Sequence, residues 1–275
     1  MHKDELRIEI AKTCISLKVN HREMRRNILN YYKSFLSRKK PQLSITVKQG
    51  DYREPYNKRL ICKNISWKFA QGDGCYFFLF YKGALALLGP DFKSAEFFTR
   101  NPESQLLLFP FPVMLLTSLL SREKKGIMLH SCGVLDGKDA FLFVGPSGSG
   151  KSTLANLCGD RTLISDDKII IRKYGNIFRV FGNPWWHGND KIKKSVSSQG
   201  AAISRIFFLQ KAKRNFITPL KGLFPAVDLM RNSFFPFWDP KATANTFEIC
   251  SEITKKIPCF KLGFIPDQSV WRVIN

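Results

Sequence analysis

"FLFVGPSGSGKST", Phe141 to Thr153, decides how the chain is read. A short apolar run stops at Gly145, and a glycine- and serine-rich turn then closes on Lys151 and Ser152. Gly145, Gly150, Lys151 and Ser152 satisfy the pattern G-x-x-x-x-G-K-[ST]. Glycines let a backbone wrap closely around a phosphate chain, where side chains would collide. The wrapped amides and the N-terminus of a following helix present N–H donors to the anion. A lysine at position 151 reaches terminal phosphates, and a hydroxyl at position 152 ligates Mg²⁺. The flanks are the ones this motif requires, since "AFLFV" reads as a strand and "STLANLCGD" as a helix. Gly145, Pro146, Ser147, Gly148, Ser149, Gly150, Lys151, Ser152 and Thr153 are therefore the expected phosphate-binding residues.

Downstream, the apolar strand in "LISDDK" ends in Asp166 and Asp167. Adjacent strand residues point to opposite sides, so the two carboxylates suit different tasks. One holds Mg²⁺, directly or through water, and the other accepts a proton from an attacking hydroxyl. A helix cap or a polar strand end is the plainer reading of such a pair. His130, in "MLHSCGV", precedes the loop by one strand; a lone histidine on a strand is more often structural, and the other reading is that it sits next to the carboxylates and tunes or orients one of them. Trp185, Trp186 and His187, in "NPWWHGND", either line a nucleotide or acceptor site or form a packed aromatic loop.

The rest of the chain frames this segment. "LRIEIAKTCISLKV" and "QLSITVKQG" alternate apolar and polar residues as strands do, and "HREMRRNILNYYKSFLSRKK" between them reads as an amphipathic helix. "GCYFFLFYKGALALLG" predicts two strands turning at Lys82–Gly83. Leu106 to Leu120, "LLLFPFPVMLLTSLL", predicts a buried helix with a kinked entrance, too short to span a bilayer comfortably. "GIMLHSCGVLDGKDAFLFVG" predicts two strands around an Asp136–Gly137 turn. Strands are expected again in "TLISDDKIIIRKYGNIFRVFG" and "SRIFFLQKA", and the chain is expected to end as a helix followed by strands. The fold class is thus mixed, α+β or α/β. A strand-rich accessory region is expected over 1–100 and the phosphate-binding domain over 101–275, with a soft boundary near Arg100 to Gln105.

Forty-four basic residues against 22 acidic ones give a formal net charge of +22 over 275 residues. Such a field favours anionic partners, although a solvated lysine-rich surface accounts for it equally well. The basic residues are spread along the chain and no nucleic-acid module accompanies them, so nucleic acid is not the favoured partner. Seven cysteines occur without a C-x-x-C pair or a metal-ligand spacing, which suits reduced thiols in a cytoplasmic protein. The first residues lack an apolar core of signal-peptide length.

"LHSCGVLDGKDAFLFVGPSGSGKSTLANL", followed by "LISDDKIII", resembles the catalytic domain of HPr kinase/phosphorylase. It is more similar still to the HPr-kinase-related proteins of gene clusters for modified peptides. The clear likeness covers about His130 to Ile171, and a weaker one runs through "SRIFFL" to "IPCFKLGFIPDQSVWRVI". Residues 1–100 do not resemble the N-terminal domain of that enzyme. The resemblance implies a phosphoenolpyruvate-carboxykinase-like P-loop core. It also implies ATP- and Mg²⁺-dependent phosphorylation of a serine hydroxyl on a protein, peptide or small acceptor. Carried over by position, Lys151 acts on the phosphates and Ser152 and Asp167 serve the metal. Asp166 is the base and His130 its partner, with the division of roles between the two aspartates open.

The family carries a glutamate shortly after the aspartates that is linked to metal binding and phosphorolysis. Here "IFRVFGNPWWHGND" stands in its place, which leads to the expectation of a one-way kinase. The positive charge leads to the expectation of an acidic acceptor. The competing reading is a nucleotide-binding regulatory or assembly protein with slow hydrolysis and no acceptor.

Overall fold

A computed structural model describes residues 5–101, 108, 111–185 and 200–274. The chain divides into two compact units, Met1–Leu119 and Leu120–Asn275. The division falls inside helix α2 (Phe111–Arg122), past the Arg100–Gln105 stretch, most of which lies outside the described residues.

In the N-terminal unit, β1 (Glu5–Ile10) and β2 (Thr13–Val19) pair antiparallel through a tight turn at Ala11 and Lys12. Both turn residues have positive φ (47° and 63°), as a two-residue turn matched to strand twist requires. Helix α1 (Arg22–Tyr31) follows, capped by His21, whose Nδ1 accepts the Met24 amide at 3.3 Å. It buries Met24 and Ile28 and returns the chain to β3 (Leu43–Gln49), parallel to β2. Parallel to β3 lies β8 (Ser94–Thr99). An antiparallel run then extends outward through β7 (Ala84–Leu88), β6 (Cys75–Phe80), β5 (Trp67–Gly72) and β4 (Arg59–Lys63). The turn at Lys82–Gly83 forms as the sequence predicts, with Gly83 at φ 87°. Phenylalanines 69, 78, 80, 97 and 111 interlock as the core of this unit.

The C-terminal unit is organised around β9 (Gly126–Asp136). It pairs antiparallel with β10 (Asp139–Val144), β11 (Thr162–Ser165), β12 (Lys168–Tyr174) and β16 (Ser233–Phe234). Beyond β12 come β13 (Ile177–Phe181) and β14 (Ala201–Lys211), then β17 (Cys259–Phe264) and β15 (Phe216–Leu220). The long β14 pairs with β13 at its start and lies parallel to β10 further along, so the strand path returns to its beginning. Both faces are buried. Ala140, Leu142 and Val144 of β10 enter one core, and Phe141 and Phe143 enter the other. Helix Pro240–Lys256 covers the first face with Ile249, Cys250 and Ile253. The second face carries α3 (Lys151–Asn156) and the terminal helix Val270–Ile274.

That terminal helix corrects the expectation of strands at the end of the chain. Only β17 is a strand. Asp267 then accepts the Ser269 amide at 2.8 Å, a turn that starts a helix and buries Val270, Trp271 and Ile274. Sheets of mixed parallel and antiparallel strands with helices make this a mixed α and β protein. All seven cysteines are free thiols. Among the described residues no helix is long and apolar enough to cross a membrane.

Candidate functional site: a glycine loop beside a His–Asp–Lys cluster

The glycine-rich segment is a turn between β10 and α3, as the sequence predicts. Gly148 and Gly150 have φ of 76° and 105°, a region that side-chain-bearing residues avoid. At Gly150, the N-cap of α3, a Cβ would also lie 2.6 Å from the Phe264 ring. Pro146, Ser147, Gly148 and Ser152 are exposed, whereas Ser149 and Lys151 are buried. Lys151 folds over its own loop, its Nζ donating to the carbonyls of Gly145 (2.7 Å) and Pro146 (2.8 Å). Burial pushes the Lys151 ammonium below the usual lysine range, and the charge of Asp167 opposes that shift. The Ser149 hydroxyl is buried without a hydrogen-bond partner.

Strand register brings the loop and the aspartates to one end of the sheet. Val144, the last residue of β10, is paired with Ser131 on β9. His130 is the next residue along β9 and is paired with Lys168, the first residue of β12. The Ser131 amide donates to the Asp167 carbonyl at 2.9 Å, which fixes the turn carrying both carboxylates. His130 Nε2 lies 2.7 Å from Asp167 Oδ1, and Lys168 Nζ donates to Asp167 Oδ2. Burial raises the Asp167 pKa, but the hydrogen bonds from His130 and Lys168 outweigh it and hold the carboxyl well below the usual range.

The pairing differs from the one the sequence reading carried over. His130 meets Asp167, the other of the two adjacent aspartates. The contact is set by the turn between β11 and β12: Ser131 N–H holds the Asp167 carbonyl and Lys168 is paired with His130, so the Asp167 side chain meets both. Asp166, 8% exposed, lies near Cys132, whose thiol is pushed far up by burial and by the charge of Asp166. Trp185 is buried, and Trp186 and His187 lie outside the described residues.

Two polar residues at the site escaped the sequence reading. Lys168 is 7% exposed and Asn183 1% exposed. Asn183 Nδ2 donates to the Lys168 carbonyl, and its Oδ1 accepts the Trp185 amide at 2.8 Å. Period-two counting from Ile169 and Ile171, which face one core, puts Lys168 on the opposite face with His130, and that signal was available in the sequence. Nothing in the sequence pointed to Asn183.

Among the described residues no group of three or more His, Cys, Asp or Glu gathers into a metal-binding cluster. Two cavities, of about 710 and 400 Å³, lie in the N-terminal unit and share His21. Their basic lining (Arg22, Arg25, Arg26 and Lys48) contains no residue of the glycine loop. The loop and its neighbours are the stronger candidate, because they combine a glycine turn at a helix start, a buried lysine and an ionised carboxylate. No protein-family model matches the chain, and no curated protein does.

Proposed function

We propose that the C-terminal unit is an ATP-dependent kinase that transfers the γ-phosphoryl group to a serine hydroxyl of a protein, peptide or small acceptor. The observation that carries this reading is the register of β10, β9 and β12. It brings the glycine loop to the same end of the sheet as a carboxylate held ionised by His130 and Lys168, which supports the reading. Binding alone requires the loop; a placed carboxylate next to it is what transfer to a hydroxyl adds.

The residues fit a polyphosphate. Gly148 and Gly150 hold left-handed turns that only glycine adopts readily, and the Ser149 hydroxyl is a buried polar atom lacking a partner. Lys151 would exchange the carbonyls of Gly145 and Pro146 for phosphate oxygens. Exposed Ser152 and the carboxylate of Asp166 are the groups that would serve Mg²⁺. When bound, ATP would supply the phosphoryl group, and the metal would supply positive charge to offset that on its oxygens. Asp167 orients the acceptor hydroxyl and receives its proton, and His130 keeps that carboxylate aligned. The acceptor is expected to be acidic, because the chain carries a net charge of +22. The fold of this unit is read as the phosphoenolpyruvate-carboxykinase-like P-loop core.

Transfer is proposed to run one way. The stretch in which the resembling enzymes carry a glutamate holds Arg179, bonded to the Gly200 carbonyl at 2.7 Å, and the buried pair Asn183 and Trp185. Incubating phosphorylated acceptor with the protein, Mg²⁺ and inorganic phosphate should release no pyrophosphate at a rate near that of the forward reaction. The kinase reading itself is tested by ADP release with and without serine-containing acceptors. Acceptor-stimulated release supports it, and release indifferent to every acceptor would leave a nucleotide-binding protein with slow hydrolysis.

A further inference from the structure

Lys168 is kept almost entirely from water. An ammonium in that position is tolerated only when paired. Its pairing is specific. The β9–β12 register puts Lys168 directly opposite His130, and directly opposed residues project from the same face. The two side chains therefore reach Asp167 together. His130 meets Oδ1 and Lys168 meets Oδ2. The backbone on either side is fixed as well. Ser131 N–H holds the Asp167 carbonyl, and Asn183 holds the Lys168 carbonyl from the far side of the sheet path.

Two donors on one carboxylate do something that one cannot. The terminal torsion of an aspartate is broad, so a single contact at Oδ1 leaves the plane of the group free to swing. A second contact at Oδ2 fixes that plane. The grip leaves the group an ionised carboxylate, and a carboxylate oxygen can accept more than one hydrogen bond.

We propose that Lys168 is a positioning residue that, opposite His130, fixes the plane of the Asp167 carboxylate for its encounter with the acceptor hydroxyl. This rests on the reading of Asp167 as the group that receives the proton. Lys168 is not assigned to nucleotide binding.

The test is Lys168→Met, which keeps the length and apolar stem of the side chain and removes the donor. Two readouts are taken. The first needs no activity: the ring resonances of His130, assigned with His130→Gln, should move in Lys168→Met because Asp167 loses its contact at Oδ2. The second is a split in kinetics, with kcat falling on the order of 10²-fold as expected for a misplaced group while KM for ATP stays unchanged. Lys168→Ala should regain part of its rate when ethylammonium is added, which loss of fold would not permit. Should Lys168→Met fail to fold, Lys168→Gln is read in the same way. Unmoved His130 resonances would overturn the proposal whatever the activity. A protein that phosphorylates no acceptor, yet shows moved resonances, would sink the kinase reading and leave the grip on Asp167 standing.

Discussion

His130 and Asp167 meet at 2.7 Å, Nε2 to Oδ1, although 37 positions separate them in the chain. The contact selects between the two adjacent aspartates. Asp167→Asn should keep nucleotide affinity and lose transfer by about 10²–10⁴-fold, the scale of a general base. Asp166→Asn should act through the metal and be offset in part by raising Mg²⁺. Parallel titrations of transfer against Mg²⁺ for the two variants check this. Mg²⁺ rescue of Asp167→Asn rather than Asp166→Asn would reverse the roles.

The loop conformation makes a second demand. Gly150→Ala places a methyl group 2.6 Å from the Phe264 ring at a residue whose φ is 105°. The loop must change shape or Phe264 must withdraw. Binding of a fluorescent ATP analogue should weaken by at least tenfold, while circular dichroism stays that of the folded protein. Affinity equal to that of the wild type would show that the loop does not hold phosphate.

Trp271 secures the helix that follows the loop. It is 4% exposed, and its indole N–H donates to the Leu157 carbonyl at 2.6 Å. Arg161 stacks 4.1 Å above its ring, and it shares a core with Leu154 and Ala155 of α3. Trp271→Ala should cost about 3–5 kcal/mol, the usual scale for deleting a buried aromatic. The melting midpoint should fall by on the order of 10 °C, measured by calorimetry. Nucleotide should recover part of that loss if α3 and the loop are loosened together.

The N-terminal unit has its own pH signature. Glu5 accepts from Arg7 (3.0 and 2.9 Å) and from Ser16 (2.7 Å), and these bonds lower its pKa to about 2. A carboxyl whose pKa is depressed on folding stabilises above the ordinary glutamate range and loses that contribution as pH falls through its folded value. Glu5→Gln should therefore lower the urea midpoint at pH 7, and the gap to the wild type should close as the pH approaches 2. A constant gap across that range would assign the effect to shape rather than charge.

Much of the frame was legible because local rules and tertiary structure agree here. The alternation in "LRIEI" and "ISLKV", the Lys82–Gly83 turn and the strand–loop–helix around Gly145 form as local patterns predict, and the turn expected at Asp136–Gly137 falls one residue later, at Gly137–Lys138. The end of the chain was misread because "SVWRVI" is apolar enough for a strand. Its helix is set by the Asp267 turn and by the pocket for Trp271, which local pattern does not reveal. At the site, residue types were legible and pairings were not. Which aspartate meets His130 depends on the register of β9 against β12, and the role of Asn183 depends on a turn that returns from β13 to the Lys168 carbonyl. Both are long-range facts.

The most direct test of the central claim is transfer of label from [γ-³²P]ATP, with Mg²⁺, into an extract of the source cells and into acidic serine-containing peptides. Wild-type protein, Lys151→Ala and Asp167→Asn are compared. The kinase account predicts phosphoserine on an acceptor with wild-type protein, none with Lys151→Ala because phosphate binding is lost, and none with Asp167→Asn although that variant still binds ATP. Label recovered only as inorganic phosphate, at the same rate with wild-type protein and Asp167→Asn, would contradict it.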